Sequence, residues 1–433
     1  MNDRPDAEAF VAHIRTHLQH VPKFHAIPSI VPADQPSDTI IAEALSRARG
    51  VYDGGAYTAI FHSATPQQYG PFTGVTVAVK DLMAVAGYRI GAGSKLRQDA
   101  PLEARHATLV AQLVGAGATL IGLTSLHEFA FGVTGINDFS GTTVNPHDAL
   151  RIAGGSSTGS AVAVAERSAQ IAIGTDTGGS VRLPAALCGV VGFKPAYDTY
   201  SRDGVFPLAP SLDHMGLLAR SVEEIQAVHS LVACPTYGQV QPLRVGVIRA
   251  EIERAESSIQ TQFDSLIQAL SAYGCQLVDV TLPDYRQVSA TATTITFSEA
   301  AHVHQTYLER MDDYGVDVRG WLQRGLMVRA IDYLAALDLR HQIRAEMQAL
   351  LMGVDCTIGP TVQMVAPTFA ALEADPTLGG KLIAYTRLAN VAGLPAISIP
   401  MPTEGLPIGL QLMALDNERL LQLAAFIARR VFG

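Results

Sequence analysis

Two short loops rich in glycine and serine carry most of the reactive groups this sequence can bring together. The first, Gly154-Gly-Ser-Ser-Thr-Gly-Ser160, and the second, Thr175-Asp-Thr-Gly-Gly-Ser180, set Ser156 and Ser180 24 positions apart. Glycine loops at helix starts turn backbone N–H groups toward one point and hold anions there. A Walker-type phosphate loop needs a lysine inside it, and neither loop has one; the dinucleotide pattern GxGxxG does not fit residues 154–160. Gly155-Ser-Ser-Thr-Gly159 matches the letters of a GxSxG nucleophile elbow. That elbow needs a strand leading straight into it, and His147-Asp-Ala-Leu-Arg151 does not read as one. The second loop is better suited to acyl transfer. It follows an apolar strand, and Gly178 and Gly179 let backbone N–H groups converge beside Ser180, where an oxyanion grows on a carbonyl under attack. On this geometry Ser180 is the better nucleophile.

A serine hydroxyl attacks only when a base takes its proton. Lysine is scarce here: Lys23, Lys80, Lys95, Lys194 and Lys381 are the five, and the other 26 of the 31 basic residues are arginine. Lys80 closes the apolar run Gly74–Val79, where burial would disfavour the ammonium form. An ion pair with Asp81 is an equally good reading of Lys80 taken alone. Lys194, in Phe-Lys-Pro, reads as structural. Asp176 and Arg182 flank Ser180 and read as braces of the loop, with Ser157 supporting from behind. His127-Glu128 is no metalloprotease motif, because Phe131 stands where HExxH needs histidine. His302-x-His304 reads as a solvated helix face rather than a metal site. Cys188 would be the nucleophile of a nitrilase-type amidase, but its Pro-Ala-Ala-Leu-Cys context reads as core packing.

The elements that must carry these groups follow from periodicity. Helices are predicted over 7–20, 38–48, 104–114, 161–167, 257–272, 328–352 and 417–431, and strands over 74–79, 119–123, 170–174, 243–248, 276–280, 355–358, 396–399 and 408–413. The alternation predicts an α/β fold, one large domain with a mixed, mostly parallel central sheet covered by helices on both faces. Residues 132–159, rich in Gly, Asn, Ser and Thr, form a long loop of the functional kind. No repeat or linker divides the chain; Cys234–Gln241 is the least unfavourable boundary.

Composition narrows the function. With 48% apolar and 16% charged residues the chain can bury a large core. A net charge of −9 with no basic cluster disfavours direct nucleic-acid binding. No apolar run is long enough to span a membrane, and the polar start is no secretory signal, so a cytoplasmic protein is expected. Cys188, Cys234, Cys275 and Cys356 are too far apart for a zinc knuckle or a disulfide framework. No metal or other cofactor is expected.

The chain resembles the amidase signature family. The resemblance rests on Gly74-Val-Thr-Val-Ala-Val-Lys80-Asp81, His127-Glu-Phe-Ala-Phe-Gly132, Asn145-Pro146, the two glycine–serine loops with Val181-Arg182-Leu-Pro184, Cys188-Gly-Val-Val-Gly-Phe-Lys-Pro195, Asn390-Val-Ala-Gly-Leu-Pro-Ala396 and Leu406-Pro-Ile-Gly-Leu-Gln411. It covers most of residues 70–413 and departs from the family at Thr158, where glycine is usual. It implies a single amidase domain over 1–433, with N-terminal helices (1–60) packed on a signature core (70–230) and a further α/β part (243–433). It implies Lys80, Ser156 and Ser180 as base, bridging serine and nucleophile, a cis bond between Gly155 and Ser156, and an oxyanion hole from the backbone of Thr177, Gly178, Gly179 and Ser180. By the same resemblance Phe131 and Gly132 line the acyl pocket, and Arg340 or Arg344 is a candidate to hold a substrate acid.

The activity so implied is hydrolysis of the C–N bond of a small carboxamide or urea-like amide through a Ser180 acyl-enzyme, releasing ammonia or an amine. The first alternative is the glutaminase subunit of a tRNA-dependent amidotransferase, which requires a partner chain. The second is a non-catalytic binding or scaffold subunit. The expected partner is a small amide, and a homodimer is compatible with this reading.

Overall fold

A computed structural model describes residues 37–52, 55–61, 69–233, 235 and 243–432. The predicted helix over 7–20, Cys234 and nearly all of the candidate boundary lie outside the described residues.

Thirteen strands are described: β1 (Tyr57–Ile60), β2 (Thr76–Lys80), β3 (Thr119–Thr124), β4 (Val144–Asn145), β5 (Asp148–Ile152), β6 (Ile171–Asp176), β7 (Val191–Lys194), β8 (His214–Ala219), β9 (Arg244–Val247), β10 (Gln276–Asp279), β11 (Cys356–Pro360), β12 (Ala396–Pro400) and β13 (Gly409–Met413). Eleven of them form one sheet in the order β1-β3-β2-β6-β8-β7-β12-β13-β11-β9-β10. The sheet is mixed. Its parallel pairs are β3–β2 and β2–β6 toward one end and β11–β9 and β9–β10 at the other. Helical crossovers join these strands, as parallel pairing requires. The strands from β6 through β8, β7, β12 and β13 to β11 pair antiparallel. The β7–β12 pairing carries the sheet from the 70–230 part of the chain into the 243–433 part, so both share one layer.

Helices cover both faces, and residue alternation shows why. Val77, Val79, Ile171, Ile173, Leu217 and Ala219 enter one apolar cluster, with helices Thr108–Gly115, Val222–Ala233 and Ser257–Ala272. Their strand neighbours Ala78, Ala172 and Leu218 enter a second, with helices Ser37–Tyr52, Thr158–Ala165 and Arg182–Cys188. Helix Ser257–Ala272 buries Ile259, Phe263, Leu266 and Leu270, one side of a helical turn repeat. The 19-residue helix Tyr285–Val303 escapes a periodicity reading, because Thr291 and Glu299 are buried on the same side as Val288 and Ile295.

Two expectations change at this level. The segment before the first glycine loop does form a strand, β5, but it pairs with β4 in a separate ribbon, with one antiparallel bridge from Arg151 to Thr368, and does not lead from the central sheet into Ser156. His304 is fully buried, its Nδ1 2.7 Å from the Tyr314 hydroxyl and its ring edge-on to Phe129, so it is not on a solvated face.

Candidate active site

Lys80 is the last residue of β2, and its side chain is completely buried. Strand alternation sends Asp81 elsewhere: its carboxylate accepts hydrogen bonds from Gly91 N (2.8 Å) and Thr58 Oγ1 (3.0 Å), so the Lys80–Asp81 ion pair does not form. Lys80 Nζ instead meets three hydroxyls, Ser156 Oγ at 2.8 Å, Ser157 Oγ at 3.1 Å and Thr175 Oγ1 at 2.8 Å. No carboxylate pairs with it among the described residues. Burial drives its pKa down to about 7, against the opposing pull of the Asp176 and Asp213 charges.

The first loop brings two serines to this amine. The Gly155–Ser156 peptide bond is cis. Ser157 spends its own hydrogen on Thr175 O at 3.1 Å, so it accepts from Lys80. That contact needs Gly174 on β6, since a Cβ there would come within 2.7 Å of Ser157 Oγ. Ser157 is sealed from solvent and cannot be an elbow nucleophile.

The second loop is built around the Asp176 carboxylate. It accepts from Gly179 N at 2.8 Å, Val181 N at 3.1 Å and the Arg182 side chain at 2.9 Å. Arg182, also fully buried, reaches on to Thr386 O (2.9 Å), Gln411 Oε1 (2.7 Å) and Asn390 Oδ1 (2.7 Å), while Asn390 Nδ2 returns to Asp176 Oδ1 at 2.9 Å. Burial by itself would raise the Asp176 pKa, but the charge and hydrogen bonds of Arg182 hold it well below the usual carboxylate range.

This bracing alters the expected oxyanion hole. The Gly179 amide faces Asp176, so it is not free for a substrate. The Gly178 and Ser180 amides carry no intramolecular hydrogen bond among the described residues. Thr177 turns its hydroxyl onto Asp213 Oδ1 at 2.6 Å, and Thr386 Oγ1 donates to Gly178 O at 2.6 Å, fixing the peptide planes on either side of Gly178.

Ser180, Thr177 and Gly178 open onto a cavity of about 950 Å³, walled by Phe131, Gly132, Phe297 and Trp321. Phe131 packs edge-on to Phe297 and tilted against Trp321. Phe129 and Ala130 both hold positive φ, 51° and 58°, which turns the chain toward the cavity. His127 lies in the same wall; a Cβ on Gly132 would overlap its ring at 2.1 Å. Burial and then the Lys80 charge lower the His127 pKa to about 4.

Arg340 is elsewhere. Its Nε donates to Val391 O (3.1 Å), its Nη2 donates to Ser211 O (2.7 Å), and its guanidinium lies over Tyr197, so it braces backbone and does not line the cavity. Arg344 is exposed. Lys194 is buried and donates to Pro195 O and Leu394 O, a structural tie. Cys188 packs in the core and donates its thiol proton to Ala153 O. Among the described residues no three His, Cys, Asp or Glu side chains gather as metal ligands. Thr175 and Arg387 lie here without residue-type reasoning singling them out, and His127 enters that reasoning only as part of a failed metalloprotease pattern. Asn390 and Gln411 lie inside the motifs quoted above, yet their contact with Arg182 is invisible without the fold.

Comparison with known proteins supplies a family. The family model described as Amidase matches residues 56–420. This chain belongs to the amidase family. Its similarity to individual amidase relatives is broad. A glutamyl-tRNA(Gln) amidotransferase subunit of Synechococcus sp. is 34% identical over 411 residues, covering 83% of this chain and 84% of that protein. A solved amidase structure superposes with a TM-score of 0.84 at 32% identity, covering 92% of this chain and 97% of that one. A structure concerning an s-triazine catabolic enzyme superposes with a TM-score of 0.82 at 30% identity, covering 92% and 95%. The amidase fold thus accounts for nearly the whole described chain. No helix among the described residues is long and apolar enough to cross a membrane.

Proposed function

We propose that the chain hydrolyses the C–N bond of a primary amide through an acyl-enzyme on Ser180, releasing ammonia. The observation that carries this reading is Lys80: a buried amine whose partners are three neutral hydroxyls and whose pKa is brought to about 7. A neutral amine donates two hydrogens and offers one lone pair, and Ser157, its hydrogen committed elsewhere, takes one of the donations. In this reading Thr175 Oγ1 takes the other, which leaves the lone pair for Ser156. As Ser180 Oγ attacks the amide carbon, its proton passes to Ser156 and the Ser156 proton to Lys80. The oxyanion that forms is met by the amides of Gly178 and Ser180, held in place by Thr386 and Asp176. The C–N bond then breaks as Ser156 returns a proton to the departing nitrogen. Water repeats the sequence in reverse roles and frees the acid.

Within this chemistry the glutamyl-tRNA(Gln) amidotransferase relatives favour glutamine as the amide and a partner chain as acceptor of the ammonia, the glutaminase reading. The amidase and s-triazine enzyme neighbours superpose at least as closely as the solved amidotransferase chain from Thermotoga maritima. They support a hydrolase of a small amide or urea-like substrate. Ammonia release by the purified single chain, measured over a panel of amides, ureas and glutamine, separates the two. Glutamine turnover that appears only with a partner chain supports the glutaminase. A fluorophosphonate probe should label wild type at Ser180 and leave Ser180→Ala unlabelled; equal labelling and turnover in Ser180→Ala would remove Ser180 from the mechanism, and no labelling of wild type would point to a non-catalytic role.

A further inference from the structure

Of the two arginines that line the cavity among the described residues, Arg387 is half-buried, and the acyl-transfer chemistry does not use it. Arg387 begins the short helix Arg387–Val391 and lines the cavity with Ser180 and Gly178. Its stem lies against the nucleophile loop: a Cβ built on Gly178 would be 3.5 Å from Arg387 Cγ. Its Nη1 donates to Ser289 Oγ at 2.6 Å and Thr293 Oγ1 at 3.2 Å, both from helix Tyr285–Val303. No carboxylate pairs with it among the described residues, in contrast to Arg182 and its Asp176. Burial lowers the Arg387 pKa, and the Tyr285 phenol is the group that opposes this. Nε and Nη2 make no hydrogen bond with the described residues and are not sealed from solvent. The acidic side chains of the cavity, Asp317 and Glu373, sit exposed at its rim, with Arg324 beside them.

A half-buried guanidinium without a counter-charge gives up part of its hydration with nothing in return. Its planar fork leaves an edge, Nε with Nη2, that matches the two oxygens of a carboxylate. We propose that Arg387 is the anchor for a substrate carboxylate, so that the substrate class is a short amide carrying a carboxylate at its other end: a monoamide of a dicarboxylic acid or the side-chain amide of an amino acid. This rests on the cavity being the substrate site of Ser180, which probe labelling tests independently. The two hydroxyls on Nη1 fix the fork, and the aliphatic stem against Gly178 sets how far the carboxylate lies from the carbonyl under attack. Arg340, tied to backbone carbonyls, has no comparable free edge toward the cavity.

The test compares each carboxylate-bearing amide (succinamate, glutaramate, glutamine) with a neutral amide of the same chain length, in wild type, Arg387→Met and Arg387→Lys. Wild type should favour the carboxylate in kcat/KM, and Arg387→Met should reduce that ratio by about 100-fold, chiefly through KM. Arg387→Lys, which keeps charge without the fork, should fall between them. A second readout needs no turnover: succinate and glutarate should slow fluorophosphonate labelling of Ser180 in wild type and not in Arg387→Met. Thermal unfolding of each variant separates a lost anchor from a lost fold. A ratio unchanged by Arg387→Met, together with equal protection by the diacids, would overturn the assignment; a wild type that labels at Ser180 yet favours neutral amides would overturn it while leaving the acyl-enzyme intact.

Discussion

The Asp176 carboxylate and the Arg182 guanidinium meet at 2.9 Å with neither side chain exposed to solvent. The pair ties the second glycine–serine loop to Thr386, Asn390 and Gln411, more than 200 positions downstream. Each charge is tolerated inside only because the other is there. Replacing Arg182 by methionine leaves a buried anion and should destabilise the protein by about 3–5 kcal/mol. Denaturant unfolding of Arg182→Met against wild type measures it, and an unshifted midpoint would show that the pair does not hold the loop.

The buried amine predicts a pH dependence with a definite sign. Below its pKa Lys80 is an ammonium and accepts nothing; above it, the lone pair is available. With the pKa at about 7, kcat/KM should rise with increasing pH through about 7 with the slope of one proton, then level off. A profile that is flat there, or that falls with rising pH, would exclude Lys80 as the base.

The two serines of the first loop should separate cleanly. In the proposed relay Ser156 gives its proton to Lys80, 2.8 Å away, whereas Ser157 holds Lys80 and the Thr175 backbone in place. Ser156→Ala should lower kcat by about 100-fold or more. Ser157→Ala should chiefly cost stability, about 1–3 kcal/mol for the buried partners it orphans. Steady-state kinetics and unfolding curves on both variants decide the matter, and a reversed order of kcat losses would exchange their roles.

Gly179 has no room for a side chain. Its φ is +137°, and a Cβ would fall 2.1 Å from Thr386 Oγ1. Thr386 itself fixes the Gly178 carbonyl. Gly179→Ala must therefore displace the loop that carries the Gly178 and Ser180 amides, and kcat should drop by about 100-fold or more. Wild-type kcat in this variant would mean that the loop tolerates the shift and does not hold the oxyanion.

Local features were determined by the sequence alone. The apolar run ending at Lys80 is β2, the helix over Ser257–Ala272 has the limits its periodicity predicts, and Gly179 marks a turn that a side chain would block. Each of these depends on neighbours within a few residues, where the two-residue and 3.6-residue repeats operate. The same locality explains what the sequence withheld. Whether Lys80 pairs with Asp81 or with serines 76 positions later depends on which face of β2 each side chain takes. Whether the Gly179 amide points at substrate or at Asp176 depends on a carboxylate held by Arg182. Arg340 and Arg387 are the same residue type on two helices, and only the packing of those helices against Tyr285–Val303, Tyr197 and the Gly178 loop puts one on backbone carbonyls and the other at the cavity wall. Charges and hydrogen bonds find their partners by direction and distance in space, and those are set when the sheet forms, not when the chain is read.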